Sequence, residues 1–400
     1  MFRSLRCGSY RLTKHSPAYV DFNDTFFDNS VEEKWKGTAD DDTRGCAMKI
    51  ILTGGGTAGH VIPNIALLKG LREKGYEISY IGSKTGVEKD MMEKEGVPYY
   101  GIQCGKLRRY LSYQNLLDPF RVVAGIFQAK KVIRKVKPDV IFSKGGFVSL
   151  PVVIAAGKTT VVAHESDYTP GLANKLAAPF CDKICVTFED TLKYLKDGKG
   201  EFTGTPIREE LYHGDRERGL RFTGFSGEKP VLLVMGGSSG ALHMNELVRE
   251  AVKSLLEQFD IIHLCGKGKV DGSFDYPGYV QYEYISEELP DLLALSDVIV
   301  SRSGANAVFE FLSLSKPAVL IPLPLSASRG DQILNAKYFV KKGYAEMLDQ
   351  DTAKPEELVE LVRNVYANRG KYIEQMKKDS RIDGTDEVLQ VITQCAESRK

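Results

Sequence analysis

No run of apolar residues in the 400-residue chain is long enough to cross a bilayer, and the N-terminus has no hydrophobic stretch of the signal-peptide kind. A soluble chain, or one resting peripherally on a surface, is expected. Net charge is nearly absent as well. The 54 Lys and Arg against 53 Asp and Glu leave +1, so no overall field recruits nucleic acid and none is expected as a partner. Paired cysteines are also missing. The seven cysteines are scattered, and the closest pair, Cys181 and Cys185, has no second pair or neighbouring histidine to complete a zinc site. They read as reduced cytosolic thiols.

At this length two α/β domains are expected, each burying its own sheet. Residues 1–47 stand apart: they lack apolar periodicity, carry the acidic run Asp40, Asp41, Asp42, and stop at Met48, before the strand-like KIILT. They are expected to be a disordered leader, either an over-extended gene start or a regulatory tail. From Lys49 short apolar runs ending in glycine alternate with amphipathic stretches. KIILT is followed by a helix from Ile62 to Lys74, then YEISYIG and a helix near Met91. Strands are expected in VIFSKGG (140–146), TVVAHES (160–166) and ICVTFE (184–189). The pattern restarts with VLLVMGG (231–237), IIHLCG (261–266), VIVSRSG (298–304) and AVLIPLP (318–324). Two doubly wound, Rossmann-like domains follow, 48–207 and 208–379. The carboxyl ends of their sheets should face an interdomain cleft, where open α/β sheets bind ligands. Helical stretches at 355–378 and 384–398 close the chain, and the segment 380–398 is expected to pack back on the first domain.

The first glycine-rich turn, GGGTAGH from Gly54 to His60, lies between a strand and a helix and satisfies the G-x-G-x-x-G spacing of a dinucleotide site. That reading also wants an acid at the end of the second strand, and YIGSKTG offers none before Glu88. His60, at the helix start, is placed to project into the cleft as a base. The second half has two turns of its own, GGSSGA (236–241) and SRSGANAVFE (301–310), whose backbone N–H groups and helix dipole attract phosphate. Glu310 lies six residues beyond Gly304, suited to a ribose diol. Arg208, in GTPIREEL, can neutralise a phosphate. RGDQILNA (329–336) offers Asp331, Gln332 and Asn335 to sugar hydroxyls. Residues 106–137 hold nine Lys or Arg against one acid, Asp118. Among them are Leu107, Tyr110, Leu111, Leu116, Leu117, Phe120, Ile126 and Phe127, a pattern suited to an anionic membrane surface or to an amphipathic helix packed inward.

Together with KGGFVSLP (144–151) and HESDYTPGLANK (164–175), these segments resemble the MurG-type glycosyltransferases across residues 48 to about 395. That family adds N-acetylglucosamine to the lipid-linked muramyl peptide of peptidoglycan synthesis. The resemblance implies a GT-B fold, a peripheral place on the cytoplasmic face of the membrane, and an inverting transfer that needs neither metal nor cofactor. It implies UDP-N-acetylglucosamine as donor and undecaprenyl-pyrophosphoryl-muramyl-pentapeptide as acceptor. By position, Thr57, Ala58 and Gly59 would lie beside donor diphosphate and acceptor, and His60 would be the base. Arg208 and Ser238 would bind phosphate, and Ile285 would meet uracil through its main chain. Ala305, Asn306 and Ala307 would line the diphosphate, Glu310 would hold the ribose, and Gln332 would read the sugar. Asp167 stands where many family members have asparagine, and residues 1–47 have no counterpart. The competing readings are a UDP-N-acetylglucosamine epimerase of related fold, a glycolipid-forming diacylglycerol transferase, a dehydrogenase and a non-catalytic nucleotide-sugar-binding subunit.

Overall fold

The computed structural model of the chain describes residues 47–105, 114–195, 198–237, 241–379 and 383–398, without the side chains of 114–117. The expected leader and Ser238 lie outside the described residues, as do Leu107, Tyr110, Leu111 and the side chains of Leu116 and Leu117.

The first half contains β1 (Lys49–Thr53), β2 (Glu77–Ser83), β3 (Tyr99–Ile102), β4 (Val140–Ser143), β5 (Thr160–Glu165), β6 (Lys183–Val186) and β7 (Gly200–Phe202). They form one parallel sheet in the order β3-β2-β1-β4-β5-β6-β7. The second half contains β8 (Val231–Met235), β9 (Asp260–Leu264), β10 (Tyr279–Tyr282), β11 (Val298–Ser301), β12 (Ala318–Leu320) and β13 (Ala345–Met347), parallel in the order β10-β9-β8-β11-β12-β13. The α/β, doubly wound class expected from the sequence is the class observed. Inner strands such as VIFS and VIVS are buried at every position because helices cover both faces, so they read as unbroken apolar runs. In each sheet the winding reverses beside its first strand, which opens a crevice at the carboxyl ends between β1 and β4 and between β8 and β11.

The last helix, Thr385–Glu397, places Val388, Leu389 and Ile392 in the core of the first sheet with Leu52, Leu67 and Phe142. The preceding helical stretch breaks at Asn368 into Pro355–Ala367, whose Leu358 and Val362 pack on the second sheet, and Arg369–Lys377. Phe188, which follows β6, is buried in the second half's core, edge-on to Phe309 at 5.1 Å and to Tyr338 at 5.0 Å. Among the described residues no helix is long and apolar enough to cross a membrane.

Candidate active site

The turn after β1 is shaped by what lies on either side of it. Gly56 has φ +90°, and a side chain there would collide with the Phe147 ring. Thr57 is extended, Ala58–His60 form one 3-10 turn, and Pro63 starts the helix Ile62–Glu73, where its missing N–H costs nothing. Beneath the turn, fully buried Glu88 accepts hydrogen bonds from Ser83 N at 3.0 Å, Ser83 Oγ at 2.5 Å and Gly56 N at 3.4 Å. The one acid near the end of β2 therefore anchors the loop and is not presented to a ribose, which removes the support for a dinucleotide site.

His60 closes this turn. Its ring lies against Gly146, where φ is +80° and a Cβ would come within 3.0 Å of His60 Cδ2 and 2.5 Å of the Gly55 carbonyl oxygen. Its Nδ1 is buried without a hydrogen-bond partner. Burial first, and the charge of Lys144 second, hold its pKa down to about 4. The imidazole is neutral at pH 7 and able to accept a proton.

The turn after β11 ends differently. Gly304 is the N-cap of the helix Ala305–Ser313, so the free first-turn N–H groups open into the crevice. One turn further, the buried Glu310 carboxylate accepts at Oε1 from both Nε and Nη2 of Arg208, each at 3.1 Å. Burial raises the Glu310 pKa and the guanidinium opposes it. Two groups that the sequence offers separately, for ribose and for phosphate, are thus one ion pair in the protein.

The two turns share one cavity of about 390 Å³. Thr57, Ala58, Gly59, His60, Asp167, Arg208, Ile285, Ala305, Asn306, Ala307 and Glu310 all line it. Asn306 Nδ2 donates to the Gly59 carbonyl at 2.6 Å, so the two halves touch at the base of the cleft. Gln332 is not brought into this lining. It borders a neighbouring cavity with Arg302 and Gln350, and its Oε1 accepts from Leu323 N at 3.0 Å.

Residues 50–186 match the Glycosyltransferase family 28 N-terminal domain, and residues 231–390 match the Glycosyltransferase family 28 C-terminal domain. The chain belongs to glycosyltransferase family 28. A protein of Lachnospira eligens named UDP-N-acetylglucosamine--N-acetylmuramyl-(pentapeptide) pyrophosphoryl-undecaprenol N-acetylglucosamine transferase is 55% identical over 347 residues, 86% of this chain and 98% of that protein. One of the same name from Clostridium perfringens is 54% identical over 351 residues, 87% of this chain and 98% of that protein. The crystal structure of Acinetobacter baumannii MurG superposes with a TM-score of 0.69 at 24% identity, covering 87% of this chain and 99% of that one, a likeness of fold.

Several groups in this family 28 cleft escaped the reading of the sequence. Ser166, Tyr284, Met235 and Leu264 also line it. Ser166 and Tyr284 stand in the very segments HESD and YEYISEEL that supplied Asp167 and Ile285, so position alone could have found them. Asp167 Oδ1 accepts from Asn335 Nδ2 at 3.1 Å, while Asn335 Oδ1 accepts from Tyr168 N at 3.0 Å. The fully buried Asn335 thereby joins the halves, where the sequence suggests a ligand of sugar hydroxyls. Burial, then Glu165, push Asp167 up to about 6. Behind the cleft lies Lys144, 1% exposed, its pKa brought down to about 7 by burial.

Proposed function

We propose that this chain transfers N-acetylglucosamine from UDP-N-acetylglucosamine to the C4 hydroxyl of an undecaprenyl-pyrophosphoryl-muramyl-pentapeptide. The observation that carries the reading is a single cleft holding a neutral histidine with no partner for Nδ1 on one wall and a helix start with an Arg–Glu pair on the other. Relatives above 50% identity over nearly their whole length bear the transferase name, which supports a transferase over an epimerase or a glycolipid enzyme.

The acceptor oxygen attacks the anomeric carbon, His60 takes its proton, and uridine diphosphate departs from the opposite face, which inverts the centre. The hydroxyl is too weak an acid to ionise first, so proton transfer accompanies bond formation. The N–H groups of Ala305, Asn306 and Ala307 and the Arg208 guanidinium hold the charge that grows on the leaving diphosphate. Glu310 holds the ribose and Ile285 the uracil, while Thr57, Ala58 and Gly59 border the reacting atoms. Asp167 faces the donor sugar, and Ser238 adds to the phosphate contacts.

The acceptor is presented by a membrane on the cytoplasmic side. On the helix Gln114–Val136, Ala129 and Ile133 are buried in the first half's core and Ile126 packs against it, but Phe120, Val123 and Phe127 are 74%, 50% and 69% exposed. Spaced three and four residues apart, they share one outward face, and the exposed Lys130, Lys131 and Arg134 follow on the same helix. Aromatic rings that enter a headgroup boundary, with cations beside them, attach a protein reversibly to anionic lipid.

The test is release of uridine diphosphate from UDP-N-acetylglucosamine by the full chain, with and without the lipid-linked acceptor. Release only with acceptor, with a disaccharide product, is expected. Donor consumption without acceptor would replace the transferase by an epimerase or hydrolase, and no turnover would leave a binding subunit.

A further inference from the structure

Lys144 carries a part of the site that the reaction as described does not use. It follows β4, and its backbone N–H donates to Thr53 O at 2.8 Å, so it sits at the carboxyl edge of the first sheet behind the glycine turn. Its side chain is buried, and Nζ has two bonded neighbours: His164 Nδ1 at 2.6 Å and Ser166 Oγ at 2.5 Å. The other ring nitrogen of His164 faces the Gly204 carbonyl at 2.9 Å. A carbonyl can only accept, so Nε2 bears the ring proton and Nδ1 accepts from the lysine. Lys144 is thereby fixed from behind, and its second hydrogen bond fixes the Ser166 hydroxyl.

Ser166 stands in the cleft wall, and because Lys144 can only donate to its oxygen, its own hydroxyl proton is left for Asn306 Oδ1, an acceptor 3.5 Å away on the second half's helix start. The same amide donates through Nδ2 to the carbonyl of Gly59, the residue before His60. The contacts run in one direction, from Lys144 to Ser166, to Asn306, to the turn that bears the base. An apolar side chain of similar length would fill the same volume without the desolvation penalty that a buried ammonium incurs, so what the lysine adds is orientation.

We propose that Lys144 is a positioning residue of the transfer: through Ser166 and Asn306 it sets the register of the Gly59–His60 turn against the helix start that receives the leaving group. Lys144 does not line the cleft, and it acts only through those neighbours. A small misplacement of a reacting group costs rate more than it costs binding of the donor.

This rests on the transferase reading, and the two can fail separately. Absence of acceptor-dependent turnover in the wild-type chain overturns the reading itself. With turnover established, kcat and the UDP dissociation constant are measured for Lys144→Met, Ser166→Ala and the double variant. The expected result is a kcat lowered roughly 10- to 100-fold in Lys144→Met, with UDP binding within about twofold of wild type. The double variant should be no slower than the slower single one, because both changes break the same chain of contacts. Wild-type kcat in Lys144→Met, or single effects that multiply in the double variant, would overturn the proposal. If Lys144→Met does not fold, Ser166→Ala decides: lowered kcat with unchanged UDP affinity supports the relay, and wild-type kcat removes it.

Discussion

The two halves wind their first six strands in the same order, and each puts a glycine turn where the winding reverses, yet the turns end in different chemistry. After β11 the chain passes from Gly304 straight into a nine-residue helix, and bare N–H groups face the cleft. After β1 five residues, Thr57 to Val61, intervene between the glycines and the helix proper, and His60 among them has no partner for Nδ1. A helix start offers fixed partial charge and suits a leaving diphosphate, whereas a side chain on an extended turn offers a group that can change its protonation. Their outer faces differ too, since the first half turns Phe120 and Phe127 outward beside a row of cations. In the proposed transfer one architecture serves as acceptor side and donor side, and the difference lies in which turn beside the crevice each half uses, the one after its first strand or the one after its fourth.

The sharpest way to break that comparison is His60→Ala. Loss of a general base should lower kcat by about 10²- to 10⁴-fold and leave UDP binding intact; steady-state rates and calorimetry together check it. Arg208→Ala comes next. It removes the proposed diphosphate contact and leaves the Glu310 carboxylate buried without its ion pair, so UDP affinity should weaken roughly 100-fold and the melting temperature should fall. Unchanged UDP affinity would take the leaving-group role away from the second half. The double variant Phe120→Glu, Phe127→Glu should reduce binding to anionic vesicles about tenfold in a flotation assay without altering UDP affinity. The smallest effect concerns pH. Burial holds His60 down to about 4 and His263 to about 3, and lowers His164 as well. Unfolded histidines bind protons near pH 6.5, so between that value and the folded ones the unfolded chain carries more protons and stability falls as pH falls. The melting temperature at pH 5 should lie several degrees below that at pH 7, and two of the three histidines responsible are in the first half.

How much of this was legible follows from position in the sheets. The expected strands became β1, β2, β4, β5, β6, β8, β9, β11 and β12, whose buried faces leave unbroken apolar runs. The four that sequence reasoning passed over, β3, β7, β10 and β13, are the two edges of each sheet. They are short segments such as GEF and AEM, partly exposed, with too few apolar residues to form a pattern. The glycine turns and His60 were visible because backbone geometry demands glycine at fixed spacing. The Arg208–Glu310 pair, the Asn335 bridge and the Lys144 relay were not, because each joins residues about twenty to more than a hundred and fifty positions apart, and no local rule relates them.

One paired measurement tests the division of labour most directly: kcat and the UDP dissociation constant for His60→Ala and Glu310→Gln, side by side with the full wild-type chain. The account predicts a crossed result, with kcat reduced and UDP affinity retained in the first variant, and UDP affinity reduced in the second. A His60→Ala protein with wild-type kcat, or a Glu310→Gln protein that binds UDP as tightly as wild type, would contradict it.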